Sequence, residues 1–204
     1  MNGRLIVFIN GINSLPCNME GWTDKAVAWV FRHTEAAAEK FEWWGGPILS
    51  HLLIRWRARQ LLQLLEPYRG FRIVLVGHSF GTVLICRVLA DRRVPPITCA
   101  CLIASAADAD FGRNGLNAAL RENCVGEIHL YQSRRDGTLA AARATAWWLR
   151  WVRLDFGWLG LTGPRNLDPA VAARVRVIQK PYAHSQWFAP DCFDQTMREI
   201  TAET

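Results

Sequence analysis

The fold is decided by the stretch Ile73-Val74-Leu75-Val76-Gly77-His78-Ser79-Phe80-Gly81-Thr82-Val83-Leu84-Ile85. It predicts a buried strand, a sharp turn at Ser79 and an apolar helix. Such a turn brings the positions two before and two after the bend so close together that side chains there would collide, and Gly77 and Gly81 occupy both positions. The bend would hold the Ser79 hydroxyl at a helix start, where backbone N–H groups favour negative charge. The pattern therefore predicts a nucleophilic serine, with the backbone N–H of Phe80 as an oxyanion donor; the alternative is a tight turn with an idle serine.

Short apolar runs alternate with segments of helical spacing along the chain. The predicted strands are Leu5 to Ile9, Ile73 to Val76, Cys99 to Ala104, Ile128 to Tyr131 and Val175 to Ile178, with Phe41 to Trp44 as a weaker sixth. The predicted helices are Trp22 to Glu39 with Val27, Val30 and Phe31 on one face, Leu52 to Leu65, Gly81 to Leu89, Leu139 to Val152, and a last one starting near Asp191 behind Pro190. This alternation predicts one α/β domain over residues 1–204, a three-layer, doubly wound fold around a mostly parallel sheet. The functional site is expected at the carboxyl ends of the strands.

A serine hydroxyl is a weak nucleophile until a base removes its proton, so a histidine is needed nearby. His33 and His51 precede the predicted nucleophile, and His129 lies inside a predicted strand. His78, beside Ser79, is expected to point to the other face and to support the site rather than act as the base. The loop between the last predicted strand and helix contains His184, which is therefore the predicted base.

The base in turn needs a carboxylate partner. Asp136 follows the predicted strand Ile128 to Tyr131 and precedes Gly137, so it is the preferred acid, although Asp-Gly is also an ordinary turn pair. Asp108 is the second candidate, and Asp110 and Asp168 are further competitors.

The loop after the first strand, Phe8-Ile9-Asn10-Gly11-Ile12-Asn13-Ser14, is expected to supply the second oxyanion donor. Gly11 would let the backbone approach a substrate, and the N–H of Ile12 is the predicted donor. Asn10 and Asn13 are alternatively residues that only shape the turn.

Charge and cysteine content exclude several other classes of protein. The formal net charge is +6, but the arginines are scattered singly or in pairs instead of forming a stripe, so nucleic-acid binding is not expected. The six cysteines show no C-x-x-C pair or metal-ligand spacing; they are Cys17, Cys86, Cys99, Cys101, Cys124 and Cys192. The apolar run Leu5 to Ile9 is too short for a signal peptide, and no stretch is long enough to span a bilayer. The sequence therefore predicts a soluble cytoplasmic protein with reduced cysteines that needs neither a metal nor an organic cofactor.

Tryptophan is unusually frequent, with ten in 204 residues. The clusters are Trp43-Trp44 and then Trp147, Trp148, Trp151 and Trp158, which lead into the glycine-containing segment from Phe156 to Pro164. Packing of this aromatic face on the sheet is the favoured interpretation. A mobile lid beside the site, with peripheral contact to lipid, is the alternative.

Together these residues resemble the α/β-hydrolase superfamily over nearly the whole chain. The resemblance is carried by Asn10-Gly11-Ile12, where many members have His-Gly-x, by Gly77-His78-Ser79-Phe80-Gly81, by Asp136-Gly137 and by the His184 loop. It implies the fold of that superfamily, without a large cap domain because the chain is short. It also implies a Ser-His-Asp triad in the chain order Ser79, Asp136, His184.

The predicted function is hydrolysis of a small carboxylic ester through an acyl-enzyme, with lipid-like acyl esters and thioesters as further candidates. An inactive member of the superfamily that binds a ligand or partner is the alternative, and a protein that uses the tryptophan segment at a membrane surface is a third possibility. The oligomeric state is not indicated by the sequence.

Overall fold

A parallel six-stranded sheet forms the centre of the computed structural model, which describes residues 3–11, 21–43, 47–149 and 157–202. The strands are β1 (Arg4–Ile9), β2 (Ala37–Phe41), β3 (Arg72–His78), β4 (Ile97–Ile103), β5 (Val125–Gln132) and β6 (Val175–Gln179). Their order across the sheet is β2-β1-β3-β4-β5-β6, and every neighbouring pair is parallel. The predicted α/β architecture is confirmed, and the sheet is wholly rather than mostly parallel.

Helices connect the strands and cover both faces of the sheet. In the described ranges they are α1 (Trp22–His33), α2 (Pro47–Leu65), α3 (Gly81–Leu89), α4 (Leu116–Arg121), α5 (Gly137–Leu149), α6 (Leu159–Thr162) and α7 (Pro190–Ala202). Among these residues the connections form no separate cap over the sheet. A search of the same residues finds no helix with the length and apolar character that crossing a bilayer requires.

The alternation of side chains along β3 separates two cores. Ile73 and Leu75 point to one face, where buried residues of α2, α3 and α4 cover them. Val74 and Val76 point to the other face, beneath α1 and α7. Because side chains of a strand alternate between faces and both faces of this strand are buried, β3 is apolar along most of its length. The result is the predicted arrangement of three layers.

The chain reverses its direction of travel across the sheet between β1 and β3. After β1 it moves outward to β2, then returns to β3 on the other side of β1 and proceeds to β6. The carboxyl ends of the strands on either side of such a reversal border a crevice, which is where ligands bind in open α/β sheets. The residues that follow β1 and β3 here are Asn10 and Ser79.

The predicted helix from Trp22 to Glu39 is wrong in its second half. The helix ends at His33, because the hydroxyl of Thr34 donates to the Val30 carbonyl and accepts from the Ala36 N–H, while residues 37–41 pair with β1 as β2. The predicted strand from Phe41 to Trp44 is therefore misplaced, and Trp44 lies outside the described residues. Alanines favour helices, but here the pairing of a parallel edge strand outweighs that preference.

The face assigned to α1 also needs correction. Phe31 is 64% exposed, and the apolar side chains buried against the sheet include those of Trp22, Ala26, Trp29 and Val30. The predicted helix from Gly81 to Leu89 is present with those bounds, and the other predicted strands and helices are present with shifted ends. Val152, the predicted end of α5, lies outside the described residues, and neither α4 nor α6 was predicted.

Candidate active site

The turn between β3 and α3 holds Ser79 in a strained backbone conformation. Its φ is 53°, in the left-handed region that non-glycine residues rarely adopt. A Cβ on Gly77 would lie 2.6 Å from Ile85 Cδ1, and one on Gly81 would lie 2.5 Å from the Asn10 carbonyl oxygen. The contact at Gly81 is with backbone, which cannot easily move, and a Cβ on Gly77 would also lie 3.2 Å from the Gly81 carbonyl group. These contacts are the steric reason for the two glycines that the sequence pattern indicated.

Neighbouring strands and side chains hold this turn in place. The Ser79 N–H donates to the Ile103 carbonyl at 3.0 Å, and the Ser79 carbonyl accepts the Thr82 hydroxyl at 2.6 Å. The buried Ser105 hydroxyl donates to Thr82 Oγ1 at 2.9 Å. These supporting contacts were missed in the sequence, because Thr82 and Ser105 belong to no motif and meet only after β3 and β4 pair.

The His184 imidazole lies directly against the Ser79 hydroxyl. Its Nε2 is 2.9 Å from Ser79 Oγ, and the side chain keeps 16% of its surface exposed. His184 follows β6 in the loop that leads to α7, as predicted from chain order. With Nε2 unprotonated, the imidazole can accept the hydroxyl hydrogen, which is the geometry that a general base requires.

The Asp136 carboxylate occupies the other side of the same imidazole. Its Oδ2 is 2.7 Å from His184 Nδ1, and its side chain is fully buried. Its Oδ1 accepts the backbone N–H of Leu139 at 2.9 Å and so caps the start of α5. One oxygen is thus held by the helix while the other accepts from His184, so the carboxylate orients the ring with Nε2 toward Ser79.

The competing carboxylates have other partners. Asp108 Oδ1 accepts the Asp110 N–H at 2.9 Å, and Asp110 accepts from Asn166 and from its own turn. Asp168 accepts the Ala170 N–H and lies 3.4 Å from the Arg121 guanidinium. Of the four candidates, Asp136 is the one that the structure brings to His184.

The loop after β1 reaches the nucleophile. A Cβ on Gly11 would lie 3.0 Å from Ser79 Cβ and 3.5 Å from Ser79 Oγ, so glycine permits the backbone to pass directly over the serine. Phe80 follows Ser79 with its side chain buried, and Ile12, the other predicted donor, lies outside the described residues.

Asn10 shapes this loop, the alternative that the sequence left open for it. Its Oδ1 accepts the backbone N–H of Trp43 at 3.1 Å, and its carbonyl accepts the Trp43 indole N–H at 3.0 Å. The Trp43 ring also packs against Phe80, with centroids 5.6 Å apart. Asn10 and Trp43 therefore connect the loop after β1 to the residue that follows the nucleophile.

His78 supports the site from the opposite face of the sheet. It is buried, and its Nε2–H donates to the backbone carbonyl of His184 at 2.8 Å. Burial, and secondly the neighbouring His184, lower the pKa of His78 to about 3, so its ring is neutral at ordinary pH. This arrangement matches the supporting role expected for His78, because the contact fixes the backbone of the loop that carries His184.

Close backbone contacts account for residues 157–160 of the tryptophan-rich segment. Gly157 N–H donates to the Ala106 carbonyl and Gly160 N–H to the Ser105 carbonyl, each at 2.9 Å, and Leu159 is fully buried. A Cβ on Gly160 would collide with the Ser105 nitrogen and lie 2.7 Å from the Ala104 carbonyl carbon. The glycines therefore serve close backbone contact with the carboxyl end of β4, not mobility. Trp151 and Phe156 lie outside the described residues, as do the side chains of Trp147 and Trp148.

Comparison with known proteins identifies the fold. No family model matches the sequence, and no curated protein matches it. Solved structures do match. An esterase domain from Rhodothermus marinus has 11% identity and a TM-score of 0.59, and the match covers 98% of this chain and 85% of that one. An esterase from Pyrococcus furiosus has 12% identity and a TM-score of 0.57, with 99% and 82% covered.

A third match is the mouse alpha/beta hydrolase domain-containing protein 10. Its identity is 15% and its TM-score 0.58, with 100% of this chain and 91% of that one covered. Identities this low establish a shared fold rather than a shared reaction. The chain therefore has the α/β-hydrolase fold that the sequence pattern indicated.

Proposed function

We propose that this protein is a serine hydrolase that cleaves carboxylic esters. The observation that carries the proposal is the unbroken hydrogen-bonded series from Asp136 through His184 to Ser79, at a serine held in a left-handed turn. The structural likeness to two esterases supports a hydrolytic reaction of this type. In this proposal Ser79 is the nucleophile, His184 the general base and Asp136 the triad acid.

In the first half of the reaction, Ser79 Oγ attacks the carbonyl carbon of the ester. His184 Nε2 accepts the hydroxyl proton, and the negative charge of Asp136 stabilises the imidazolium that results. The tetrahedral intermediate collapses when the C–O bond to the alcohol breaks. His184 Nε2 then returns its proton to the departing alkoxide, and an acyl group remains on Ser79.

In the second half, water repeats the attack on the acyl-enzyme. His184 removes a proton from the water, the hydroxide adds to the acyl carbonyl, and the Ser79 oxygen leaves and regains the proton. The products are the carboxylic acid and the free enzyme. Because the same imidazole acts as base and acid in both halves, its fixed position between Asp136 and Ser79 supports the whole cycle.

The oxyanion that forms in both halves needs donors placed before reaction. We assign this role to the backbone N–H of Phe80, directly before α3, and to that of Ile12, in the loop after β1. The close passage of Gly11 over Ser79 supports the assignment, because it brings the second loop to the reacting carbon. Such preorganised donors typically lower the barrier by about 3 kcal/mol each.

The substrate is assigned by class only. Small esters are proposed, with lipid-like acyl esters and thioesters as further candidates, since attack on a thioester carbonyl uses the same groups. A cytoplasmic location, a single-domain organisation and peripheral contact with lipid remain predictions.

Covalent labelling tests the proposal most directly. A fluorophosphonate probe should phosphonylate the native protein with a stoichiometry of one, and mass spectrometry of peptides should locate the adduct on Ser79. The Ser79→Ala variant should take up no probe, while Ser105→Ala, which removes another buried hydroxyl near the site, should still be labelled.

Turnover of aryl esters of graded acyl length, measured for the native protein and for Ser79→Ala, complements the labelling. A native protein that neither reacts with the probe nor cleaves any ester would contradict the proposal. The alternative, an inactive protein with this fold that binds a ligand or partner, would then be preferred.

A further inference from the structure

A second group of reactive side chains lies on the sheet face that α1 and α7 cover. Cys99 and Cys101 project from β4 and His129 projects from β5, and all three are at most 2% exposed. The two Sγ atoms are 4.0 Å apart, and one ligand atom from each residue lies within 4.8 Å of the other two. The proposed hydrolysis uses none of these residues.

The register of β4 and β5 places a fourth side chain, that of Glu127, beside this group. Cys99 lies opposite Glu127, and Cys101 lies opposite His129. Residues two apart in a strand share a face, so the four side chains form the corners of a small rectangle on one face of the sheet. Glu127 Oε2 is 3.2 Å from His129 Nε2, and its side chain is 60% exposed.

We propose that Cys99, Cys101 and His129 bind a zinc ion, with Glu127 as the hydrogen-bond partner that orients His129. Two thiolates and an imidazole are ligands that zinc accepts in tetrahedral coordination, with water in the fourth position. With Zn–S bonds of about 2.3 Å, two sulfurs in such a centre lie about 3.8 Å apart. The 4.0 Å between these sulfurs is close to that spacing, so binding requires little movement of the strands.

Charge in the surroundings favours the site. Two thiolates balance the charge of Zn²⁺, and the carboxylate of Glu127 beside His129 adds one negative charge. The guanidinium of Arg4, on β1 and separated from β4 by β3, interacts electrostatically with both Cys99 and Cys101 and offsets that charge.

The exposed position of Glu127 provides access for the metal. The carboxylate reaches from solvent to the edge of a group whose other members are buried, so it can capture the ion and deliver it to the sulfurs.

The site is separate from the proposed active site. Cys101, the nearer of the two cysteines, pairs with Val76, which precedes Ser79 by three residues along β3 and its turn. At about 3.3 Å per residue, the separation is roughly 10 Å. The metal would therefore join β4 to β5 and stabilise the sheet without touching the substrate, and the inference does not depend on the proposed hydrolysis.

Metal titration of the tag-free full chain tests the inference. The reduced protein, freed of metal with a chelator, is titrated with Co²⁺ and then with Zn²⁺. One Co²⁺ per chain should produce sulfur-to-cobalt charge-transfer absorption and the visible bands of a tetrahedral centre, and Zn²⁺ should displace it. Zn²⁺ should also raise the thermal midpoint, since a metal that binds only the folded chain stabilises it.

Three variants assign the ligands. The double variant Cys99→Ser with Cys101→Ser should lose the charge-transfer absorption, and Glu127→Gln, at an exposed position, should bind Zn²⁺ at least about tenfold more weakly. Cys86→Ser is the matched control, because Cys86 is buried on the other face of the sheet, where burial raises the pKa of its thiol to about 12. It should bind as the native protein does.

Two results would overturn the inference. One is a native protein that shows no saturable Co²⁺ binding with sulfur charge transfer. The other is unchanged affinity in Glu127→Gln or in the double variant, which would place the metal elsewhere. If the double variant does not fold, the native titration and Glu127→Gln still decide the question.

Discussion

Two histidines of this protein each lie between reactive groups, but they do so in opposite settings. His184 sits in a loop at the carboxyl ends of the strands, with Asp136 on one side, Ser79 on the other and part of its ring exposed. His129 lies within a strand, buried beside Cys99 and Cys101. The side chain of His184 is 16% exposed, whereas that of His129 is 3% exposed.

The difference shows how each kind of site is built from the same sheet. In the first site, His184 lies 48 positions after Asp136 and 105 positions after Ser79 in the chain. The site therefore depends on three loops whose backbones must keep fixed positions. The second group comes from adjacent strands and depends only on their register. Variants that disturb the loops should therefore affect hydrolysis and leave metal binding intact.

The largest expected effect is that of His184→Ala. Loss of the base should reduce kcat for an aryl ester by about 10⁶-fold, because Ser79 then keeps its proton. Cobalt binding should remain as in the native protein. Steady-state kinetics with the Co²⁺ titration as a fold control measures both, and a loss smaller than a hundredfold would contradict the role of His184.

A smaller loss is expected for Asp136→Asn. The amide still fits the cap of α5, but it no longer offers a negative charge to the imidazolium, so kcat should fall by about 10⁴-fold. The matched variant Asp108→Asn should leave kcat within about threefold of the native value, since Asp108 accepts from its own turn. Equal losses of kcat in the two variants would contradict the assignment of Asp136 as the triad acid.

Two glycines differ in the space around them: backbone crowds Gly160, and the surroundings of Gly137 are open. Gly160→Ala should lower the free energy of unfolding by about 1–3 kcal/mol, because its Cβ collides with the backbone of residues 104 and 105. Gly137→Ala should be neutral or slightly stabilising, because nothing lies within 4 Å of the added Cβ. Urea unfolding of both variants measures the two changes. Equal changes in the free energy of unfolding would contradict the prediction.

The smallest effect on activity is expected for His78→Gln. The glutamine amide can still donate to the His184 carbonyl, so kcat should fall by less than about tenfold. Its clearer signature is the pH dependence of stability.

Burial holds the pKa of His78 at about 3 in the folded chain, against 6.5 for an ordinary histidine. The unfolded chain therefore binds one more proton as the pH falls below 6.5, and folding loses stability through that window by up to about 1.4 kcal/mol per pH unit. Above pH 6.5 this contribution is fully present. Thermal midpoints from pH 7 to 4 should fall less steeply in His78→Gln than in the native protein, and parallel curves would contradict the assignment.

The turn at Ser79 was predictable because its cause is local. The two glycines, the apolar run before them and the apolar helix after them lie within 13 residues, and close approach of the backbone makes glycine necessary at both positions. The chain positions of Asp136 and His184 followed from strand ends and chain order. The boundary between α1 and β2 was not predictable in the same way, because residues 37–41 become a strand only by pairing with β1.

The sequence by itself determined the alternation of strands and helices, the bend at Ser79 and the order of the candidate residues, since periodicity and glycine sterics act over a few positions. Tertiary structure alone decided which carboxylate meets His184, that His78 holds the His184 loop, and that Cys99 and Cys101 face His129. Those contacts depend on strand order and register, which bring together residues with no short-range relation in the chain.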